Sequence, residues 1–243
     1  MRMTNINSLS IVVPVFNEED NLPLLFDEIH KALAPTDKKW QVIFVDDGST
    51  DNSLQVVRSL SEQHPEAKYL AFEHNCGQSA AFKAGFDAAD TDVVITIDAD
   101  LQNDPADIPN LLREYERGYT MVIGWRHKRQ DTLQKKVASK IGNSIRNKLS
   151  RETVKDTGCS LKVMDTQMVQ QIPMLTGMHR FLPTLMKMQG ATVSEVPVNH
   201  RHRQHGESKY GIIDRAKATF LDLLAIRWMQ SRHFRYSIKD RNV

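Results

Sequence analysis

Val93-Val94-Ile95-Thr96-Ile97-Asp98-Ala99-Asp100-Leu101-Gln102 joins an apolar run to two carboxylates one residue apart. A short run rich in β-branched residues reads as a strand buried on both faces. In extended chain, residues i and i+2 point to the same side. Asp98 and Asp100 are therefore expected to form one acidic surface where the strand emerges, with the Gln102 amide oxygen beside them if extension continues. Hard cations such as Mg2+ or Mn2+ take oxygen ligands of this kind and often leave part of their shell to substrate phosphates. The metal set expected from this stretch is Asp98, Asp100 and Gln102. A plainer reading of the same residues is a strand end followed by a cap for the helix that Pro105 opens.

Upstream, short β-rich runs alternate with amphipathic ones. Leu9–Val15, Val42–Asp46, Tyr69–Phe72 and Val93–Asp98 read as strands, and Glu18–Leu33, Asp51–Ser61 and Gln78–Ala89 as helices. Regular βαβα order predicts an α/β fold: a mostly parallel, Rossmann-like sheet flanked by helices. In such sheets ligands lie at the carboxyl ends of the strands. Pro14-Val15-Phe16-Asn17-Glu18, Asp46-Asp47-Gly48-Ser49 and Asp98-Ala99-Asp100 all fall at such ends and should converge on one edge. Alone, Asp47-Gly48-Ser49 is an ordinary turn and helix cap.

Downstream the pattern is less regular. Met121–Gly124, Leu161–Met164 and Thr192–Val198 read as strands, Leu133–Leu149 as a basic helix and His179–Gln189 as another helix. His200 to Tyr210 reads as a basic loop. Its His200, His202 and His205 lack a Cys or carboxylate to complete a zinc shell and sit among arginines that repel a cation. One domain is expected over residues 1–230, with a donor and metal half at 1–125, an acceptor half at 126–230, and a basic tail at 231–243.

The formal net charge of +2 conceals a division: residues 1–125 carry nine basic and 21 acidic side chains, net −12, and the remainder is net +14. Residues 126–151 hold nine Lys or Arg against Asp131 alone, a density suited to phosphates. No run approaches the roughly 18 apolar residues of a spanning helix. Met1–Ser10 lack the apolar core of a signal peptide, and two cysteines fit free thiols in a reducing compartment. A cytoplasmic location is expected. Phe220, Leu221, Leu223, Leu224, Ile226, Trp228 and Met229, followed by Arg232, Arg235 and Lys239, read either as core or as a C-terminal amphipathic helix for an anionic membrane surface.

Val13-Pro14-Val15-Phe16-Asn17-Glu18-Glu19, Val45-Asp46-Asp47-Gly48-Ser49, Asn75-Cys76-Gly77-Gln78 and Asp98-Ala99-Asp100-Leu101-Gln102 together resemble glycosyltransferase family 2 with its GT-A fold. Arg203-Gln204-His205-Gly206-Glu207-Ser208-Lys209-Tyr210 is similar to the loop of the polyprenyl-phosphate sugar transferases in that family, nearest to the bacterial undecaprenyl-phosphate aminoarabinose-type group. The resemblance implies inverting transfer of a sugar from a nucleotide diphosphate sugar, UDP favoured, to polyprenyl phosphate, with Mg2+ or Mn2+. It implies Pro14, Phe16, Glu18, Asp47, Gln78, Asp98 and Lys209 for the nucleotide sugar, Asp100 and Arg203 in catalysis, and Arg126, Lys135 and Ser139 for the acceptor phosphate. Lys135 stands where an arginine is common, which keeps charge but loses the bidentate fork. Asp156 matches an aspartate with a catalytic role in some members, and orienting a basic side chain is the equal alternative. Peripheral association with the inner membrane face follows, with no nucleic-acid partner. Two rivals remain at this level: transfer onto a sugar hydroxyl during polysaccharide or lipopolysaccharide assembly, and a non-enzymatic binder of anionic membranes or nucleic acid.

Overall fold

The computed structural model describes residues 4–126, 152–201, 212–234 and 239–240, with backbone alone over 212–219. Seven strands form one sheet: β1 (Ser8–Val15), β2 (Lys39–Asp46), β3 (Ala67–Ala71), β4 (Val93–Thr96), β5 (Met121–Trp125), β6 (Lys162–Asp165) and β7 (Val193–Pro197). Their order is β3-β2-β1-β4-β6-β5-β7. The four N-terminal strands pair in parallel, as does β5 with β7. β6 runs antiparallel to both β4 and β5, a reversal that local periodicity does not encode.

Three α-helices alternate with the first strands: α1 (Leu22–Leu33), α2 (Ser53–Gln63) and α3 (Gln78–Ala88). α4 (Ile108–Tyr115) and the short α5 (Thr166–Gln170) and α6 (Leu182–Met188) follow, and α7 (Ile212–Arg232) is the last. Side chains alternate along each strand. Ile11, Val13, Val42 and Phe44 join a core with α1 and α4, whereas Val12, Ile43, Val94 and Met164 join a second core with α3, α6 and α7. Burial on both faces explains the nearly continuous apolar runs.

Several boundaries differ from the sequence reading for identifiable reasons. The first helix starts at Leu22, not Glu18, because the Glu18 amide donates to Ser53 Oγ at 2.8 Å and holds that residue in a loop. The expected His179–Gln189 helix divides into a 3-10 turn at Met178–Phe181 and α6, with Pro183 in the first turn of the latter. β4 ends at Thr96, two residues before the expected Asp98. The basic helix expected over 133–149 lies outside the described residues.

Glu152 is tied to α6. The buried Glu152 carboxylate accepts from Thr184 Oγ1 at 2.9 Å, from the Thr153 amide at 2.8 Å and from the Lys187 ammonium. Burial alone would raise this carboxyl, but the Lys187 charge and the hydrogen bonds outweigh it and hold the group below its ordinary value. A depressed folded pKa stabilises the fold above the unfolded value of about 4.3, and that contribution disappears as pH falls through the folded value. Glu152→Gln is therefore expected to cost about 2 kcal/mol at pH 7, with the loss shrinking toward pH 3 in urea titrations. Equal losses at both pH values would contradict this account.

Candidate active site

The carboxyl ends of β2, β1 and β4 lie side by side in the sheet, so the three loops read from sequence meet there. The β1 and β2 loops are joined by hydrogen bonds. The Asp47 amide donates to the Val15 carbonyl at 2.8 Å, the Asn17 amide to Ser49 Oγ at 3.0 Å, and the Thr50 amide to Asn17 Oδ1 at 2.7 Å. Glu18 accepts from Asn21 Nδ2 at 2.7 Å, and Pro14 and Phe16 are half-buried nearby in the chain. Gly48 is required at its turn: φ is +68°, and a Cβ there would stand 2.6 Å from the His74 carbonyl carbon.

Asp47 carries this arrangement to the next loop. Its carboxylate accepts from the Cys76 amide at 2.6 Å and the Gly77 amide at 2.9 Å. Burial pushes the carboxyl above its ordinary value against the pull of those donors. The bonds orient the start of α3, whose first residue, Gln78, donates from Nε2 to Asp98 Oδ1 at 2.8 Å. Four of the expected nucleotide-sugar positions, Pro14, Phe16, Glu18 and Asp47, therefore share one edge, and Gln78 links that edge to Asp98.

The acidic pair is followed by a turn, not by continued extension. Leu101 adopts φ of +59°, and the Gln102 amide donates to Asp100 Oδ1 at 3.2 Å. The premise that extension carries Gln102 onto the same side is thus corrected, since the left-handed residue reverses the chain first. Burial and repulsion from Asp100 push the Asp98 carboxyl up to about 6, against the Ser160 hydrogen bond and the charges of Lys162 and Arg126. Two crowded carboxylates of this kind fit a divalent cation, whose charge would relieve their repulsion. Among the described residues no group of three or more His, Cys, Asp or Glu side chains forms a metal cluster. Asp98 and Asp100 could supply two protein ligands, leaving most of a cation's shell to other oxygens.

Basic side chains lie close enough to act on Asp98. Arg126 forks onto Asp156, Nε to Oδ2 at 2.7 Å and a terminal nitrogen to Oδ1 at 2.8 Å, while its amide donates to Oδ2 at 3.2 Å. Asp156, expected in a catalytic or an orienting role, thus accepts from the Arg126 side chain and amide together. Lys162, on β6 opposite Thr96, is buried and donates to the Cys159 carbonyl; burial lowers its pKa. His179 shares a 2.7 Å hydrogen bond with Ser79 Oγ, and burial followed by the Arg180 and Lys162 charges takes its imidazole down to about 3. It is neutral at pH 7.

Lys162, His179 and Ser160 were not anticipated. A lysine inside Leu161–Met164 was a legible signal, because lysine is almost never fully buried without a partner; His179 offered none. Lys135, Ser139, Arg203 and Lys209 lie outside the described residues. Cys76 and Cys159 are both free thiols.

Residues 10–172 match the family model for glycosyl transferase family 2. The chain belongs to that family. Among curated members of glycosyl transferase family 2, it is 37% identical over 223 residues to the dodecaprenyl-phosphate galacturonate synthase of Rhizobium johnstonii. It is 36% identical over 215 residues to the undecaprenyl-phosphate 4-deoxy-4-formamido-L-arabinose transferase of Photorhabdus laumondii. These matches cover 90% and 88% of this chain and 66% of the length of each relative. Glucosyl-3-phosphoglycerate synthase from Mycobacterium tuberculosis, solved with Mg2+ and UDP, superposes with a TM-score of 0.67 at 18% identity, covering 95% of this chain and 81% of that one. The same enzyme with Mn2+, UDP-glucose and phosphoglyceric acid gives 0.65 at 16%, covering 92% and 79%. These likenesses establish the GT-A fold.

The Asp47 bridge predicts a local response. Asp47→Ala should speed hydrogen exchange at Cys76 and Gly77 by about tenfold or more, because charged hydrogen bonds contribute about 1.5–3 kcal/mol. Unchanged exchange would mean that the carboxylate does not hold the loop.

Proposed function

We propose that the protein is an inverting, metal-dependent glycosyltransferase that moves a sugar from a nucleotide diphosphate sugar to a polyprenyl phosphate at the inner face of the membrane. The observation that carries this reading is the Asp98/Asp100 pair, half-buried and buried in turn, at the carboxyl end of β4, suited to a cation on a diphosphate, with the Arg126 and Lys162 charges near enough to act on Asp98. The relatives' names supply the acceptor class, and UDP is favoured because the fold neighbours were solved with it.

In this reading Pro14, Phe16, Glu18 and Asp47 bind the nucleoside, and Asp98 and Asp100 hold Mg2+ or Mn2+, with Gln102 retained as a third candidate from the family resemblance alone. Gln78 fixes the Asp98 rotamer through its 2.8 Å bond. A bound cation would polarise the diphosphate and offset charge as it leaves. The acceptor phosphate, with its second pKa near about 6, is already largely anionic at neutral pH and hardly needs a base. What it needs is cancellation of repulsion between two anions, which falls to Arg126, with Lys135, Ser139, Arg203 and Lys209 as sequence-based candidates. Asp156 supports a phosphate over a hydroxyl acceptor: its carboxylate is committed to Arg126, whereas a base for a hydroxyl would have to face the acceptor. No nucleic acid enters this scheme.

Asp100→Asn keeps size and removes a ligand charge. It should lower sugar transfer by about 100-fold or more, the scale of a lost metal contact of several kcal/mol, with the circular dichroism and Tm retained. Near-normal turnover would sink the metal role.

Membrane association is proposed through α7. Its inner face buries Leu223 and Ile226, while Phe220, Leu221, Leu224 and Trp228 are 48–66% exposed at spacings that form one stripe, with Arg227 and Arg232 on the same helix. The helix is thus apolar on two faces, one packed and one open. Among the described residues no helix is long and apolar enough to cross a membrane. Replacing Leu221 and Leu224 by Ser should weaken partitioning onto phosphatidylglycerol vesicles by about tenfold or more. Unchanged partitioning would refute the docking face.

A further inference from the structure

Leu101 poses a physical problem. A branched side chain at φ of +59° costs on the order of 1–3 kcal/mol and persists only where surrounding bonds determine it. It lies inside the motif assigned to the metal, so whatever holds it there also sets the geometry of Asp100 and Gln102. The Asp100 carboxylate supplies one restraint through the Gln102 amide. On the far side, Asn103 Nδ2 donates to Ser160 Oγ at 2.6 Å.

The remaining restraints come from the end of the β7 segment. The Asn199 amide donates to Asp107 Oδ2 at 2.7 Å, His200 forms an antiparallel bridge with Asn103, and the Arg201 amide donates to the Gln102 carbonyl at 2.8 Å. The Arg201 guanidinium then spans two elements: one terminal nitrogen donates to both Glu28 carboxylate oxygens on α1 at 2.8 Å, and the other to Asp104 Oδ1 at 2.8 Å. Asp104 in turn caps the 3-10 turn at Pro105–Asp107 through the Ala106 amide. One side chain therefore joins α1, which follows the β1 loop, to the residues just after the acidic motif.

We infer that Arg201 is a positioning residue for the donor site, holding Gln102 and the left-handed Leu101 in register with α1 so that Asp98, Asp100 and Gln102 can act on one cation. It touches no reacting atom; its guanidinium acts through Asp104 and Glu28, beside the backbone bond from its amide to Gln102 that every variant keeps. This rests on the assignment of that motif to the metal and the nucleoside diphosphate.

The test uses the full chain and two readouts. Hydrogen exchange over residues 98–104 reports positioning whatever the ligand, and calorimetric titration of UDP in Mn2+ reports the donor site. Arg201→Ala should accelerate exchange in that segment and raise the UDP Kd about tenfold, as expected for a supporting shell, while kcat at saturating donor stays within about twofold. Arg201→Lys, which retains charge but loses the fork, should fall between Ala and wild type. Glu28→Gln, which keeps the Asp104 contact, should shift both readouts in the same direction by less. A lower Tm with exchange, Kd and kcat unchanged would overturn the inference, as would a loss in kcat as large as that in affinity. If Arg201→Ala does not fold, the Lys and Gln variants decide on the same criteria. Faster exchange in a protein whose wild type binds no UDP with Mn2+ or Mg2+ would refute the donor reading and leave the positioning role standing.

Discussion

Two carboxylates held against each other at the end of a buried strand are the constraint around which this protein is built. Burial, with the Asp100 charge beside it, takes Asp98 to about 6, and the surrounding residues counter that rise. Gln78 and Ser160 donate to Asp98, the Gln102 amide donates to Asp100, and the charges of Lys162 and Arg126 act on Asp98. Removing two charges from water costs several kcal/mol unless they are compensated. An arrangement that accepts such a cost at a strand end, at the usual ligand edge of an α/β sheet, is better explained by chemistry than by stability.

The basic side of the site obeys the same logic. Arg126 would be costly beside buried Lys162 were it not forked onto Asp156, whose two oxygens it occupies. The acidic first half and basic second half of the chain thus meet across β4 and β6, which pair antiparallel with Thr96 opposite Lys162. The open stripe on α7 belongs to the same basic half, which suits a substrate whose phosphate is soluble and whose tail is not.

Much of this was legible in sequence because it is local. The short, nearly continuous apolar runs gave β1, β2 and β4, and the turn residues after them gave the ligand edge; Gly48 and Asp47 stand where a tight loop demands them. What escaped was non-local. The antiparallel insertion of β6, the Ser79–His179 bond between residues 100 apart and the reach of Arg201 to Glu28 across 173 positions depend on pairings that no periodicity records. The left-handed Leu101 escaped for a different reason: a branched residue carries no signal for positive φ, since its conformation is imposed by the bonds on either side.

The central claim is that the acceptor is a phosphate and not a hydroxyl. It is tested most directly by presenting the purified protein, with Mn2+ and a panel of radiolabelled UDP-sugars, with undecaprenyl phosphate and with undecaprenol in parallel. The account predicts metal-dependent labelling of the lipid phosphate by at least one sugar and none of the alcohol. Labelling of the alcohol at a comparable rate, or transfer to a saccharide hydroxyl while the lipid phosphate stays unlabelled, would contradict it.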